Sequence, residues 1–254
     1  MDHLLRATAN AEARHFWFRG FRFFVAPLVR FAATHRNDTG SFRALDCGCG
    51  TGANLALLNQ AGRAYGFDRS TTGLELGRQA GRTLLACGSV DAAPFPSGAF
   101  DVVSSFDVLY SLDDEAERAA IAEMFRLLKP GGFAIVNVAA MESLRGDHSV
   151  LSHEKRRYTR TGLRHRLEAA GFRIERITYT NFTLFVPMLV ARTLQRRRGL
   201  RAEADAQSEI SVPPEPLNAL LTALLWLESV YLRWFDAPAG SSLLCLARKP
   251  EERN

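Results

Sequence analysis

Leu45-Asp46-Cys47-Gly48-Cys49-Gly50-Thr51-Gly52 is the stretch on which the fold turns. An apolar run from Phe42 to Asp46 leads into it and a helical run from Asn54 to Ala61 leaves it, which reads as strand, glycine loop, helix. Glycines let a backbone approach a ligand closely, and a helix N-terminus presents unpaired N–H groups to a carboxylate or phosphate. Gly48-x-Gly50-x-x-Ala53 also has the spacing of a dinucleotide fingerprint, with Asp68 about 20 residues beyond the loop, where a carboxylate holds ribose hydroxyls. From these residues alone a nicotinamide enzyme remains open.

The same alternation continues outward. Ala64 to Asp68 reads as strand, Thr71 to Gly81 as helix, Thr83 to Cys87 and Phe100 to Ser105 as strands. Glu115 to Leu128 carries Ile121, Met124, Phe125 and Leu128 at helical spacing and stops at Pro130-Gly131-Gly132, before a strand from Phe133 to Val138. Arg160 to Ala170 is a helix, Phe172 to Tyr179 a strand, and Ser242 to Ala247 the last strand. Such alternation predicts an α/β fold on a largely parallel sheet.

Two regions fall outside the pattern. His15 to Phe31 interleaves aromatic and basic residues and reads as an amphipathic helix, so residues 1–40 are expected to form a helical cap. Residues 181–240 are too long and too apolar for a loop. They read as two helices, Asn181 to Leu194 and Leu217 to Phe235, around a mobile link. Residues 41–180 and 241–254 are then the core.

With 254 residues, 47% of them hydrophobic, the chain can bury one full-sized core. The net charge of +5 is concentrated at Lys155 to Arg166 and Arg192 to Arg201, without an aromatic-basic RNA motif or a zinc module, so no nucleic-acid partner is expected. Cys47, Cys49, Cys87 and Cys245 lack metal-ligand spacing, and no metal is expected; Cys47 and Cys49 read as small turn fillers. Free cysteines and the lack of a signal sequence suggest a cytoplasmic location.

The glycine loop and four later segments, taken in order, resemble the motifs of class I S-adenosylmethionine-dependent methyltransferases. These segments are Tyr65-Gly66-Phe67-Asp68, Gly88 to Phe95, Phe100 to Leu109, and Leu127-Leu128-Lys129-Pro130-Gly131-Gly132. The resemblance implies a Rossmann-like, doubly wound sheet of seven strands with the last antiparallel, and S-adenosyl-L-methionine as co-substrate. It places Gly48, Gly50 and Gly52 at the methionyl part with Asp46 near its ammonium, and Asp68 and Arg69 at the ribose. Asp91 and Ala92 would lie along the adenine, and Phe106 would offer its backbone to the methionyl end.

On the acceptor side the chain departs from the family, carrying Tyr110-Ser111 where many relatives have Glu-His. Neither is a base at neutral pH, although methyl transfer by in-line displacement gains much from alignment alone. His153, between the fifth strand and the next helix, is the candidate base, with a surface histidine as the other reading; Tyr110 is the second catalytic candidate. Arg156, Arg157 and Tyr158 read either as an anion clamp or as the start of a helix. His15-Phe16-Trp17-Phe18-Arg19, His153 to Tyr158 and Tyr179 to Phe182 resemble a bacterial subgroup linked with lipid or glycan modification, which implies a small or lipid-linked acceptor. Trp17 and Phe18 would then close the site against water.

Asn218, Thr222, Glu228, Ser229 and Arg233 argue against a membrane span in the second insert helix. Two readings of the insert stay open. It roofs an apolar acceptor pocket, or its apolar run ending in Arg196-Arg197-Arg198 rests peripherally on an anionic membrane surface.

Overall fold

The computed structural model describes residues 2–36, 40–199 and 211–251. Two helices come first, α1 (Asp2–Ala11) and α2 (Phe16–Thr34), and then β1 (Arg43–Cys47), α3 (Leu55–Leu58), β2 (Arg63–Asp68), α4 (Thr71–Gln79) and β3 (Leu85–Cys87). β4 (Phe100–Phe106), α5 (Asp114–Leu127) and β5 (Leu128–Ala139) follow, and α6 (Asp147–Leu151), α7 (Arg160–Ala169) and β6 (Arg173–Thr180) come next. The insert contributes α8 (Phe185–Arg198) and α9 (Glu215–Tyr231), and β7 (Ser242–Arg248) closes the order. The link expected between the insert helices falls in part on residues 200–210, outside the described residues.

The seven strands form one sheet in the order β3-β2-β1-β4-β5-β7-β6. β1 to β5 pair in parallel, and β7 runs antiparallel to both β5 and β6. The expected seven-stranded Rossmann-like architecture, with its antiparallel last strand and a helical insertion before it, is therefore present.

Strand alternation divides the core between two faces. Ala44, Val102 and Ile135 join Phe24, Val25, Val29, Leu58 and Leu225 on one face. Leu45, Val103 and Val136 join Ile121, Met124, Leu127, Leu163 and Leu167 on the other. β5 starts at Leu128, earlier than expected, because Pro130-Gly131-Gly132 lies within the strand, beside a register shift against β4, and does not precede it. A bulge accommodates residues that would break a regular ladder.

The cap and the insert meet where α2 crosses α9. A Cβ added to Gly20 would lie 2.3 Å from Leu225 Cδ1 and 2.9 Å from its Cβ, so the two helices approach through the missing side chain. Gly20→Val is expected to lower stability by about 1–3 kcal/mol through overpacking. A urea-denaturation double-mutant cycle with Leu225→Ala checks the cause: the valine costs less once Leu225 is truncated.

Candidate active site

The strand order reverses between β1 and β4, and open α/β sheets bind ligands at the carboxyl ends of strands at such a reversal. The glycine loop sits there. Gly48, Gly50 and Gly52 have φ of 75°, 57° and 77°, backbone that glycine enters without strain, and a Cβ on Gly48 would lie 2.5 Å from Val108. The Asp68 carboxylate fixes the loop: it accepts the Gly50 N–H at 2.8 Å through one oxygen and the Ser70 N–H at 2.8 Å through the other. The helix expected from Asn54 to Ala61 is only one turn, because Asn59 accepts the Ala64 N–H and turns the chain back into β2. The Gly48, Cys49, Gly50 and Gly52 N–H groups are all taken within the protein, so the loop offers a ligand close approach to its backbone, without a long helix dipole behind it.

Beside the loop lies a cavity of about 550 Å³. Asp46, Gly48, Gly50, Phe106 and Tyr110 line it, together with aromatic residues of α2 and with Leu184, Met188 and Arg192 of the insert. Gly52, Asp68, Arg69, Asp91, Ala92 and His153 are not among its walls. Arg69, Asp91 and Ala92 are exposed, the last two in the turn after β3, and Asp68 is half-buried under the loop. His153 is exposed on a left-handed backbone with φ 49°, whereas its neighbours Ser152 and Glu154 face the cavity.

Two carboxylates in the cavity wall share an unusual condition. Asp46, 1% exposed, has its carboxyl pushed up to about 7 by burial, against the Ser104 hydroxyl that donates to it at 2.8 Å. Asp107 follows β4 with φ 60°. Its surface opens on the cavity, yet the protein around it still desolvates it enough to push its carboxyl up to about 7, against an Asn137 Nδ2–H bond of 2.9 Å. Neither has a salt-bridge partner among the described residues. Burial drives the Tyr110 hydroxyl well above its ordinary value, so it stays protonated and serves as a hydrogen-bond donor.

The loop after β5 is rigidly tied. Arg157 donates to Glu154 at 3.1 Å and to Ala140 O at 3.0 Å. Arg156 and Arg166 converge on Glu117, which is wholly buried and also accepts the Tyr158 hydroxyl at 2.6 Å. Arg156 and Tyr158 are thus spent anchoring the loop to α5, and Arg157 on the loop itself and β5.

The cap is latched to the glycine loop by one carboxylate. Glu12 accepts the Thr51 hydroxyl at 2.6 Å and Arg82 at 2.7 Å, while Arg82 also donates to Thr51 O at 2.8 Å. His15 accepts the Trp17 N–H at 3.1 Å as the cap of α2, and burial lowers its imidazole below the ordinary value, favouring the neutral ring. With α2 so held, Phe16, Trp17, Phe18 and Phe21 all line the cavity. Glu12, Asp107 and Glu154 were not singled out in the sequence; the only signal was acidic residues beside a loop, a strand end and a basic run.

A reversed sheet order, a three-glycine loop closing β1 and acidic residues at the ends of β1 and β2 define a Rossmann-like protein built to hold a nucleoside-bearing ligand. Residues 45–136 match the family model described as a methyltransferase domain. The match assigns a methyltransferase domain to this segment, and the fold is that of solved S-adenosylmethionine-dependent methyltransferases. It is 28% identical over 173 residues to a probable S-adenosylmethionine-dependent methyltransferase of Mycolicibacterium smegmatis, covering 67% of this chain and 64% of that one. It is 35% identical over 98 residues to a probable tRNA methyltransferase 9B of Bos taurus, covering 38% and 21%. A solved structure from Thermotoga maritima, described as a possible histamine N-methyltransferase, shares the fold with a TM-score of 0.57 at 19% identity, covering 98% of this chain and all of that one. The chain spans 35% or less of the length of the curated relatives it matches first.

The raised Asp46 carboxyl sets a pH dependence. An unfolded aspartate ionises near pH 4, so between there and about 7 the native chain keeps a proton that the unfolded chain releases. Stability therefore falls as pH rises through this window. Thermal unfolding of the chain alone from about pH 5 to about pH 8 should show that decline, and Asp46→Asn should lessen it, leaving the part that Asp107 contributes in the same direction.

Proposed function

We propose that this chain transfers the methyl group of S-adenosylmethionine to a proton-bearing atom of a small or lipid-linked acceptor held in the cavity. The observation that carries the reading is the pair of carboxylates without a salt-bridge partner among the described residues, Asp46 near the end of β1 and Asp107 after β4, both in the wall of one cavity. A buried carboxylate with only a hydroxyl partner favours an incoming cation, which suits Asp46 to the methionyl ammonium. We assign Gly48 and Gly50 to backbone access for that group and Phe106 to the methionyl end, all three in the cavity wall, and Asp68 and Arg69 to the ribose and Asp91 and Ala92 to the adenine, which lie outside it.

Bound S-adenosylmethionine supplies a methyl carbon on a positively charged sulfur; the acceptor's lone pair forms the new bond to carbon, the C–S bond breaks, and S-adenosylhomocysteine leaves. Asp107 takes the acceptor's proton. With its carboxyl near 7 it is ionised in about half of the molecules at neutral pH and still basic enough to accept. We favour it over His153, which is not part of the cavity wall. The protonated Tyr110 orients the acceptor, while Trp17 and Phe18 keep water out.

A small or lipid-linked acceptor, in place of a nucleic acid, is supported by the size of the cavity and by its walls from α2 and α8. The second reading, a cofactor-binding protein without turnover, is favoured by Tyr110-Ser111 where relatives carry Glu-His.

Calorimetry with S-adenosylmethionine and S-adenosylhomocysteine tests the cofactor half, with reduced nicotinamide cofactor as the control. Micromolar binding that weakens at least tenfold in Asp68→Ala is expected; a preference for the nicotinamide would sink the assignment. Release of S-adenosylhomocysteine across a panel of hydroxyl and amine acceptors tests the rest. Asp107→Asn should keep cofactor binding and lower turnover about 10²–10⁴-fold, with loss of the rate increase through about pH 7.

A further inference from the structure

The helix α9 is inside out. Its polar residues Asn218, Thr222, Glu228 and Ser229 are all buried. Asn218 accepts the Phe16 N–H at 2.8 Å and donates to Arg14 O at 3.0 Å. Glu228 accepts the Phe182 and Thr183 N–H groups at 2.9 and 3.0 Å and the Thr183 hydroxyl at 2.7 Å. Four of the five residues that turned a spanning reading aside therefore face the protein, where each has its partners, and Arg233 alone is exposed.

What α9 turns outward is apolar. Leu217, Leu220, Leu227 and Tyr231 follow one another at helical spacing and are about half exposed, as is Trp226, and Trp234 beyond the helix end is 79% exposed. Soluble helices carry the opposite pattern, and a continuous apolar face of this kind marks an interaction surface. α8 repeats the arrangement. Met188 and Arg192 line the cavity, whereas Val186, Val190 and Leu194 are exposed at four-residue intervals on its other side. The exposed Arg197 continues that row.

We propose that the outer faces of α8 and α9, with Trp234 and Phe235, seat the protein in one leaflet of an anionic lipid bilayer. The charge on these elements selects that partner. The link between the two helices is mixed in charge, with Arg201 against Glu203, Asp205 and Glu209, and Arg198 is paired with Asp147, but beside the exposed apolar rows themselves stand Arg197 and Arg233, against Glu215 at the start of α9 and the buried Glu228. Asp236, just beyond, is engaged by Arg176 at 2.8 Å. An apolar helix face bordered by arginines, with tryptophan and tyrosine among its exposed residues, matches the depth profile of a leaflet, whose headgroups are anionic and whose acyl region begins immediately beneath. No helix among the described residues is long and apolar enough to cross a membrane, so the attachment is to one face. This docking does not depend on methyl transfer.

Flotation of the full chain with vesicles of phosphatidylcholine, alone or with about 30 mol% phosphatidylglycerol, tests the docking. Partition onto the anionic vesicles, weak on neutral ones, is expected. The pair Leu220→Glu and Leu227→Glu, and separately Arg197→Glu with Arg233→Glu, should each reduce it at least tenfold. Both pairs lie at the surface, and unchanged circular dichroism and S-adenosylhomocysteine binding would show that the fold is kept. Brominated acyl chains should quench tryptophan fluorescence in the native chain and lose most of that effect in Trp226→Ala with Trp234→Ala. Failure to float, or flotation indifferent to both pairs of substitutions, would overturn the proposal. So would a dimer in sedimentation that the leucine pair dissociates without any vesicle binding, which would assign the face to a second copy.

Discussion

A carboxylate taken out of water must find a countercharge, accept enough hydrogen bonds or give up its charge. That constraint organises this molecule. Asp101 is held by Lys129 and the Arg43 N–H, Glu12 by Arg82 and Thr51, Glu117 by Arg156, Arg166 and Tyr158, Asp147 by Arg198, Glu154 by Arg157, and Glu228 by two backbone N–H groups and a hydroxyl. All but the local Glu154–Arg157 pair join elements distant in sequence: Glu12 fastens the cap to the glycine loop, Glu117 fastens the loop after β5 to α5, and Glu228 fixes the approach to α8. Asp46 and Asp107 stand apart from this set, and both belong to the cavity. Where the structure leaves a carboxyl at about 7, it leaves room for a ligand to settle its charge.

The sheet was legible in the sequence because its determinants are local. Alternating strand and helix runs, glycines where the backbone turns left-handed and an acidic residue at the end of β2 all fall within short windows. Where boundaries moved, the cause was also local, as with the bulge that absorbs Pro130-Gly131-Gly132 into β5. The parts that escaped depend on tertiary partners. The run His153 to Tyr158 reads as a charged surface, yet Glu154 and Tyr158 are buried while His153 is not. Nothing in Phe106-Asp107-Val108 distinguishes a carboxyl that opens on a cavity from one that caps a turn.

Helix α9 shows the same limit from the other direction. Its apolar residues and its polar interruptions were plain in the sequence, but which side faces the core is set by neighbours. Asn218 and Glu228 are drawn inward by the backbone N–H groups at the starts of α2 and α8, which have no partner within those helices. Satisfying those N–H groups turns the leucines outward. The exposed apolar surface follows from a hydrogen-bonding requirement met elsewhere.

The insert leaves the sheet after Thr180 and returns at Ser242, and these two residues face each other in the register of β6 and β7. Its ends are therefore fixed one strand apart, whatever lies between them. Its covalent ties to the sheet are to β6 and β7, neither of which carries the glycine loop or Asp68. Under the proposed function, a change in the acceptor side reaches the cofactor side through the sheet only at one pair of antiparallel neighbours.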